Sequence, residues 1–364
     1  MKKILLFTYL HRHLKKMLPL IQEFEKEKCI DLTVLLMTNE ERELARVHGI
    51  CYTMLDAFTS RKRRSNFDLA WGLEPLINAI DVLQPDLFLA IEVNYILRNA
   101  IRYCKYTGIP NLIIQHGTPN IYSLHAFLPF EGDCFLAWGD FTKDFLIAHG
   151  MEKDKIIVTG GIPFDRTRTL QPDKENIANM LQIDPNKKWI VFTTQGVSSA
   201  NRPSEEEVIT GVTEIAKNIS NFPDYQMIFQ VHPEQQIEDI KNFVKRVEHY
   251  NSVVAKYHDT EELMAATDGV ITFFSTTAID AMVLHKPLLL INLTDDRDFF
   301  PFVKMGAAFG AYSKTEIGVQ LQQMIESPNL VMPHITQAAN YVNYRGDGKA
   351  LERVMKICYN VLNF

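Results

Sequence analysis

Residues 269–284 read Gly-Val-Ile-Thr-Phe-Phe-Ser-Thr-Thr-Ala-Ile-Asp-Ala-Met-Val-Leu. The apolar run Gly269–Phe273 predicts a buried strand, and Thr276–Leu284 predicts an amphipathic helix directly after it. The same alternation of a short apolar run with a longer amphipathic stretch occurs along most of the chain. Strands that are apolar throughout and are separated by helices indicate parallel sheets with both faces covered.

Two sets of such strands are predicted, one in each half of the chain. In the first half they are Lys3–Tyr9, Asp31–Met37, Leu87–Glu92, Asn111–Gln115, Cys134–Ala137 and Ile156–Thr159. In the second half they are Trp189–Thr194, Gln226–Val231, Val253–Ala255, Gly269–Phe273 and Leu288–Asn292. The pattern predicts doubly wound domains over residues 1–165 and 166–335, with a polar linker at Thr167–Lys188. Helices within residues 336–364 are expected to pack back across the domains.

Composition limits the classes of protein that the chain can represent. It has 364 residues, 46% of them hydrophobic, and a formal net charge of −6. These values exclude a disordered or fibrous protein and argue against nucleic acid held by bulk charge. The five cysteines are scattered and form no CxxC pair, so a reducing cytoplasmic location is expected, without a disulfide framework or structural zinc.

Hydroxyl residues follow the strand quoted above. Ligands of parallel sheets bind outside the carboxyl ends of the strands, and we expect a cleft where the two sheets face each other. Ser275, Thr276 and Thr277 are predicted to hold a phosphate with the backbone N–H groups of the helix start; the alternative is a plain helix N-cap. Asp280, one helical turn further on, is predicted to bind ribose hydroxyls; the alternative is a solvated helix residue.

Two histidines and a glutamate also end predicted strands. His232, followed by Pro233, is a candidate for contact with the donor phosphate or base. His116 is the candidate general base for an acceptor hydroxyl, with Glu92 as a second acid–base group. The alternative for each histidine is a structural residue at the end of its strand.

Several further residues are possible donor contacts. Gly160 and Gly161 form either a hinge or a loop that approaches phosphate. Thr194 and Arg202 lie in a polar loop, and Arg202 could reach a diphosphate. Two basic clusters, His11–Lys16 and Arg61–Arg64, are interpreted as solvated surface, with contact to an anionic, membrane-bound acceptor as the alternative.

The order of these motifs resembles the CDP-glycerol glycerophosphotransferases and, more broadly, GT-B glycosyltransferases of bacterial surface polysaccharides. The similar segments are His116-Gly117-Thr118-Pro119, Gly161-Ile162-Pro163-Phe164-Asp165, His232-Pro233, Asp268–Asp280 and Gly346-Asp347-Gly348-Lys349-Ala350. The start of the chain is similar to UDP-N-acetylglucosamine 2-epimerases. The His-Pro and Ser/Thr pairing also resembles transferases of CMP-activated sialic acid or Kdo, which implies that His232, Ser275 and Thr276 contact the nucleotide phosphate.

This resemblance implies a GT-B fold and a metal-independent glycosyltransferase that needs no cofactor. It would move a sugar from a CMP-, CDP- or UDP-linked donor to a surface-polysaccharide or glycolipid acceptor, with possible peripheral contact with the inner membrane. The alternatives are a glycerophosphotransferase, a UDP-sugar 2-epimerase or hydrolase, and a non-catalytic nucleotide-sugar binder. Turnover without an acceptor would distinguish the epimerase or hydrolase from the transferases.

Overall fold

The structure is a computed structural model. It describes residues 1–62, 69–92, 94–196, 203–233, 235–245, 251–273, 275–294 and 298–364. The chain divides into two units. The first contains Met1–Asp165 together with Val342–Phe364, and the second contains Arg166–Tyr341. None of the helices in these described ranges is long and apolar enough to cross a membrane.

The first unit is built on a parallel sheet that has seven strands in the described residues. Its strands are β1 (Lys2–Thr8), β2 (Ile30–Leu36), β3 (Thr53–Met54), β4 (Leu87–Ile91), β5 (Asn111–Ile114), β6 (Cys134–Ala137) and β7 (Ile156–Val158). The helices between them are α1 (His11–Lys26), α2 (Asn39–Val47), α3 (Leu69–Leu83), α4 (Tyr95–Thr107), α5 (Asp140–Ala148) and α6 (Ile162–Thr169), the last of which continues into the second unit. The strand order is β3-β2-β1-β4-β5-β6-β7, so the direction of winding reverses between β1 and β4.

Alternate residues of β1 fill two separate hydrophobic cores, one on each face of the sheet. Leu5 and Phe7 belong to one buried cluster, and Ile4 and Leu6 belong to the other. A strand that is buried on both faces needs apolar residues at every position, which is why β1 reads as a continuous apolar run. The doubly wound arrangement predicted from that pattern is confirmed.

The second unit repeats this architecture with six strands in its described part. They are β8 (Lys188–Thr193), β9 (Tyr225–Gln230), β10 (Ser252–Ala255), β11 (Gly269–Thr272), β12 (Leu288–Ile291) and β13 (Phe309–Ala311). Its helices are α7 (Lys174–Leu181), α8 (Glu205–Ile219), α9 (Ile237–Lys245), α10 (Thr260–Ala266), α11 (Thr277–Val283), α12 (Lys314–Glu326) and α13 (Met332–Val342). The strand order β10-β9-β8-β11-β12-β13 places the reversal between β8 and β11.

The stretch predicted as a linker, Thr167–Lys188, is part of the second unit instead. It contains α7, whose Ile177 and Ala178 are fully buried. Its polar composition reflects the exposed face of this short helix, which sequence pattern alone did not distinguish from a linker.

The last helix, α14 (Ala350–Leu362), belongs to the first unit. It packs on α1 and β4, and Val354, Cys358 and Leu362 join the same hydrophobic cluster as Ile4 and Leu6. A helix from the end of the chain therefore completes one face of the sheet that begins at the start of the chain.

Candidate functional site

The reversal point of the first sheet brings ionisable side chains together. Tyr9 follows β1, Glu92 follows β4, and His116 lies just beyond β5. Because β1, β4 and β5 are consecutive parallel strands in the sheet, their carboxyl ends lie at one edge. This is the position at which doubly wound folds bind ligands.

Glu92 lies at the centre of this group. The Tyr9 hydroxyl donates a hydrogen bond to Glu92 Oε2, and His13 Nε2 lies 3.4 Å from the same oxygen. His116 Nε2 lies 3.8 Å from the other oxygen, Oε1. Glu92 itself has φ +83°, a left-handed conformation that costs a non-glycine residue roughly 1–2 kcal/mol. Backbone strain of this kind concentrates at functional positions. We call Tyr9, His13, Glu92 and His116 the acid–base cluster.

Burial sets the charge states within the acid–base cluster. Burial raises the pKa of Glu92, although the Tyr9 hydrogen bond and the nearby charges of Arg12 and Lys16 oppose that rise. Burial, aided by Lys16 and Arg12, lowers the pKa of His116 to about 3. The pKa values of a carboxyl and an imidazole are thus moved in opposite directions, as is typical of neighbouring acid and base groups in active sites.

One face of the His116 ring packs against an aromatic side chain. It stacks on Phe127, with ring centroids 5.5 Å apart and planes 14° from parallel. The preceding residue, Gln115, fixes the strand end, because its amide donates to Gly117 O and Thr142 Oγ1 and accepts from the Trp138 N–H. No hydrogen-bond partner for His116 Nδ1 exists within the described ranges. The imidazole is therefore oriented but retains capacity for a further bond.

Sequence reasoning missed Tyr9, His13 and Lys16 as site residues. His13 and Lys16 were assigned to a solvated basic cluster, but His13 is 1% exposed and Lys16 is half-buried. The Lys16 ammonium donates to the carbonyl oxygen of His116 and lies 5.7 Å from the centre of the Trp138 ring. The available signal was helical spacing, since His13, Met17 and Leu20 fall on the buried face of α1.

In the second unit, the reversal point between β8 and β11 carries hydroxyl groups. Thr193 Oγ1 and Thr277 Oγ1 lie 3.0 Å apart, and Thr277 Oγ1 donates to Thr272 Oγ1 at 3.3 Å. Thr277 thus joins the end of β8 to the end of β11, and its hydroxyl is engaged inside the unit.

Two other predicted residues lie next to this network. Ser275 is half-buried and its hydroxyl accepts from the Thr277 N–H at 3.3 Å, whereas Thr276 is exposed. Asp280 is 9% exposed, and its carboxylate accepts a hydrogen bond from the Thr167 hydroxyl at 3.2 Å. The alternative interpretation, a solvated helix residue, therefore does not describe Asp280, whose carboxylate is buried and oriented. The predicted contact with ribose stays a prediction.

Thr194 fixes the segment that contains His232 and Pro233. Its hydroxyl accepts from the His232 N–H at 3.1 Å and donates to Gln235 Oε1 at 2.6 Å. His232 is half-buried and Pro233 is exposed, and the Pro233 carbonyl accepts from Lys256 Nζ. In this arrangement Thr194 orients the backbone at the end of β9.

Gly160 and Gly161 pack against the C-terminal segment of the first unit. A Cβ at Gly160, which has φ +84°, would lie 3.1 Å from both Ala350 Cβ and Arg353 Nη2. The Gly161 N–H donates to Asn343 Oδ1 at 2.8 Å. These contacts account for both glycines without a ligand, and their predicted role in donor binding remains a prediction.

Two predictions fall on residues that the structure does not describe. Arg202 lies outside the described residues, as do Arg63 and Arg64 of the second basic cluster. Arg61, in the same cluster, forms an ion pair with Glu74 at 2.7 Å.

The fold and these strand-end residues define the chain as a GT-B protein with two Rossmann-like domains. The sequence profile described as UDP-N-acetylglucosamine 2-epimerase matches residues 133–358, which is more than half of the chain. The chain therefore belongs to the UDP-N-acetylglucosamine 2-epimerase family. No curated protein matches it at a significant level.

Solved structures with the same fold are distant in sequence. A UDP complex of S. aureus MnaA has a TM-score of 0.74 and 17% identity, and the match covers 100% of this chain and 97% of that chain. The Neisseria meningitidis UDP-GlcNAc 2-epimerase bound to UDP-GlcNAc has a TM-score of 0.69 and 18% identity, with 99% and 100% covered. Anabaena Alr3699/HepE, in complex with UDP and glucose, has a TM-score of 0.66 and 14% identity, with both chains fully covered.

The predicted glycosyltransferase activity is wrong. The family match and the epimerase structures overturn it and favour the epimerase, which the sequence had suggested only as an alternative. The resemblance to the epimerases is confirmed, whereas the resemblance to a specific transferase family is not.

Proposed function

We propose that the chain is a UDP-N-acetylglucosamine 2-epimerase, which inverts the configuration at C2 of a UDP-linked N-acetylhexosamine. The observation that carries this proposal is the acid–base cluster, supported by the family match. Inversion at C2 requires that one proton leave and another arrive on the opposite face of the carbon. Two proton-transfer positions are therefore needed, one on each face of C2. Glu92 and His116, whose atoms lie 3.8 Å apart at one sheet edge, are too close to hold C2 between them, so together they supply one of the two.

The chemistry can proceed without an oxidant or a reductant. When a base takes the C2 proton, the C2–H electron pair forms a C1=C2 double bond, and UDP departs with the electron pair of the C1–O bond. The reverse addition re-forms C1–O while C2 takes a proton on its other face. Electrons balance within the substrate, so we propose that no redox cofactor is required.

We assign the acid–base cluster to the proton transfer on one face of C2. Glu92, with its pKa raised by burial, can supply a proton to that face. His116, a neutral imidazole because burial lowers its pKa to about 3, lies 3.8 Å from Glu92 Oε1. In the reverse reaction Glu92 takes the proton back from the same face. General acid–base groups of this kind contribute about 10²–10⁴-fold to rate.

The second domain is proposed to bind the UDP portion. Structures of this fold bind UDP and UDP-GlcNAc in other proteins. Here Ser275 and Thr276, at the end of β11, would contact the diphosphate, and the oriented carboxylate of Asp280 would accept ribose hydroxyls. His232 is the candidate for a further phosphate contact. These assignments are supported by position at the reversal point of the sheet.

The activity is tested by incubation with UDP-GlcNAc in D₂O, with no acceptor present. We expect UDP-N-acetylmannosamine that carries deuterium at C2, observed as loss of the C2 proton signal by NMR. A substrate that retains its C2 hydrogen after prolonged incubation, without any epimer, would overturn the proposal. Deuterated N-acetylmannosamine released together with UDP would instead identify the hydrolysing form of the reaction.

Nucleotide binding is tested separately by calorimetry with UDP. Replacement of Ser275 and Thr276 together by Ala should weaken binding by at least about tenfold, since the loss of even one hydrogen bond to a charged group costs about 1.5–3 kcal/mol. Thr315→Ala, at an exposed position of α12, is the matched control and should bind UDP normally. Equal affinities for the double variant and the control would remove these two residues from the diphosphate site.

A further inference from the structure

His13 is a buried polar side chain whose ring nitrogens make no hydrogen bonds within the described residues, which lowers the stability of the folded protein. The residue is 1% exposed, and neither ring nitrogen has a hydrogen-bond partner among the residues that the structure describes. Unpaired buried polar groups are rare in native proteins because each loses its bonds to water. Its neighbours on the buried face of α1, Leu14 and Met17, are apolar. A histidine at this position points to a role that leucine could not fill.

The surroundings of His13 identify the group on which it acts. Its Nε2 lies 3.4 Å from Glu92 Oε2, slightly beyond hydrogen-bond distance, and catalytic hydrogen bonds are often long before substrate binds. Its ring meets the Tyr9 ring edge-on at 5.0 Å and lies 5.7 Å from the His116 ring. The side chains of Glu92 and His116 are 16% and 21% exposed, so they can reach a substrate whereas His13 cannot.

The charge state of His13 determines how many N–H donors its imidazole carries. Burial, together with the neighbouring charges of Arg12 and Lys16, holds the pKa of His13 far below its ordinary value, so the imidazole is neutral. It also lies in the first turn of α1, where the helix dipole disfavours a cation. A neutral imidazole carries one N–H donor. The titratable or charged groups that face Glu92 are Tyr9, Arg12, His13, Lys16, His116 and His125.

We propose that His13 is a positioning residue that donates its Nε2–H to the Glu92 carboxylate when Glu92 gives up its proton. This inference rests on the proposed epimerase function. A hydrogen bond to the charged form of a carboxyl lowers its pKa. His13 therefore makes Glu92 a stronger acid than burial alone would allow, and it fixes the direction of the carboxylate together with Tyr9.

The first test follows the titration of Glu92 and needs no turnover. Protein labelled with ¹³C at the glutamate side-chain carboxyl is titrated by NMR, and the Glu92 signal is assigned by its loss in Glu92→Gln. His13→Leu should raise the titration midpoint by about one pH unit, whereas His13→Gln, which keeps an N–H donor, should remain near wild type. His48→Leu, at an exposed position of the same domain, is the control and should cause no change.

An unchanged Glu92 midpoint in folded His13→Leu would overturn the inference. Should the leucine variant fail to fold, His13→Asn replaces it, because the shorter amide cannot reach Glu92. A midpoint that rises in the asparagine variant but not in the glutamine variant supports the role, and equal midpoints overturn it.

A second test separates this inference from the proposed function. The pH dependence of deuterium incorporation at C2 of UDP-GlcNAc is measured for wild type and His13→Leu. The alkaline limb should move to higher pH by the same amount as the Glu92 midpoint, because Glu92 must be protonated to act as the acid. If wild type incorporates no deuterium, the proposed function fails, while the NMR titration still decides the role of His13. An unmoved alkaline limb in an active His13→Leu variant overturns the positioning role alone.

Discussion

Asp165→Ala should loosen the C-terminal helix from the first domain. The two carboxylate oxygens of Asp165 accept hydrogen bonds from the N–H groups of Ala350 and Leu351, at 3.0 and 2.8 Å. These are the first two residues of α14, and the residue before them, Lys349, provides no side-chain cap. A residue nearly two hundred positions earlier in the chain therefore caps this helix.

The size of the effect follows from the two bonds lost. Loss of an N-cap costs about 0.5–2 kcal/mol, and here two partly buried donors lose a charged acceptor, so we expect about 2 kcal/mol. Since each 1.4 kcal/mol is a factor of ten, amide protection in α14 should fall about 30-fold. Asp165→Asn keeps one carbonyl oxygen as an acceptor and should lose about half as much.

Hydrogen exchange measured by mass spectrometry localises this effect, which thermal melting of a two-domain chain does not. The peptide that contains Ala350–Leu362 should exchange faster in Asp165→Ala, while peptides from the second domain should be unchanged. Asp154→Ala, at an exposed position of the first domain, is the matched control. Wild-type protection of α14 in Asp165→Ala would refute the capping argument.

Three further predictions concern the first domain. Gly161→Ala places a Cβ 2.7 Å from the Phe164 ring, so it should destabilise the protein by about 1–3 kcal/mol in denaturant unfolding, and normal stability would contradict the tight packing. Glu92→Gln should reduce C2 deuterium exchange by at least about 100-fold while UDP still binds in calorimetry, and retained exchange would remove Glu92 from the reaction. His13 is neutral in the folded protein, whereas in the unfolded chain it binds a proton below its ordinary pKa of 6.5. That protonation stabilises the unfolded chain, so the free energy of unfolding decreases as pH falls below about 6.5. Wild type should therefore lose about 1–2 kcal/mol more than His13→Gln between about pH 6.5 and 5, measured by urea unfolding at each pH, and parallel pH curves would contradict the buried neutral histidine.

The apolar runs predicted most of both sheets because parallel strands are buried on both faces. Strands such as β1 and β8 differ from their predicted bounds by one residue at each end. The strands β3 (Thr-Met) and β13 (Phe-Gly-Ala) were missed, since neither is a continuous run of large apolar residues. Glu92 was predicted as the last residue of its strand, but it follows β4 with φ +83°, a backbone conformation that the sequence pattern does not indicate.

The candidate site was predicted in part, one strand at a time. Glu92 and His116 were each identified from their position after an apolar run, and their proximity follows from the pairing of β4 with β5. His13 was not identified, because a histidine between Arg12 and Leu14 looks like part of a charged surface. Its burial results from the packing of α1 on the sheet, and the helical spacing of His13, Met17 and Leu20 was the signal for that contact.

Contacts within the first domain explain why the motifs predicted the fold correctly and the reaction wrongly. The resemblance to transferases rested partly on Gly161–Asp165 and Gly346–Ala350, and in the structure these two segments bind each other through the Asp165 cap of α14. In this chain, these motifs hold the C-terminal helix on the first sheet, which is a structural role and not a catalytic one. The six-strand sheet also has the same strand order as the first six strands of the seven-strand sheet, so topology alone assigns no chemistry to either domain. What distinguishes the two reversal points is the side chains there: ionisable groups in the first domain and hydroxyls in the second. The proposed epimerase reaction therefore rests on the side chains around Glu92 and His116 and on the family match, and not on the order of the strands.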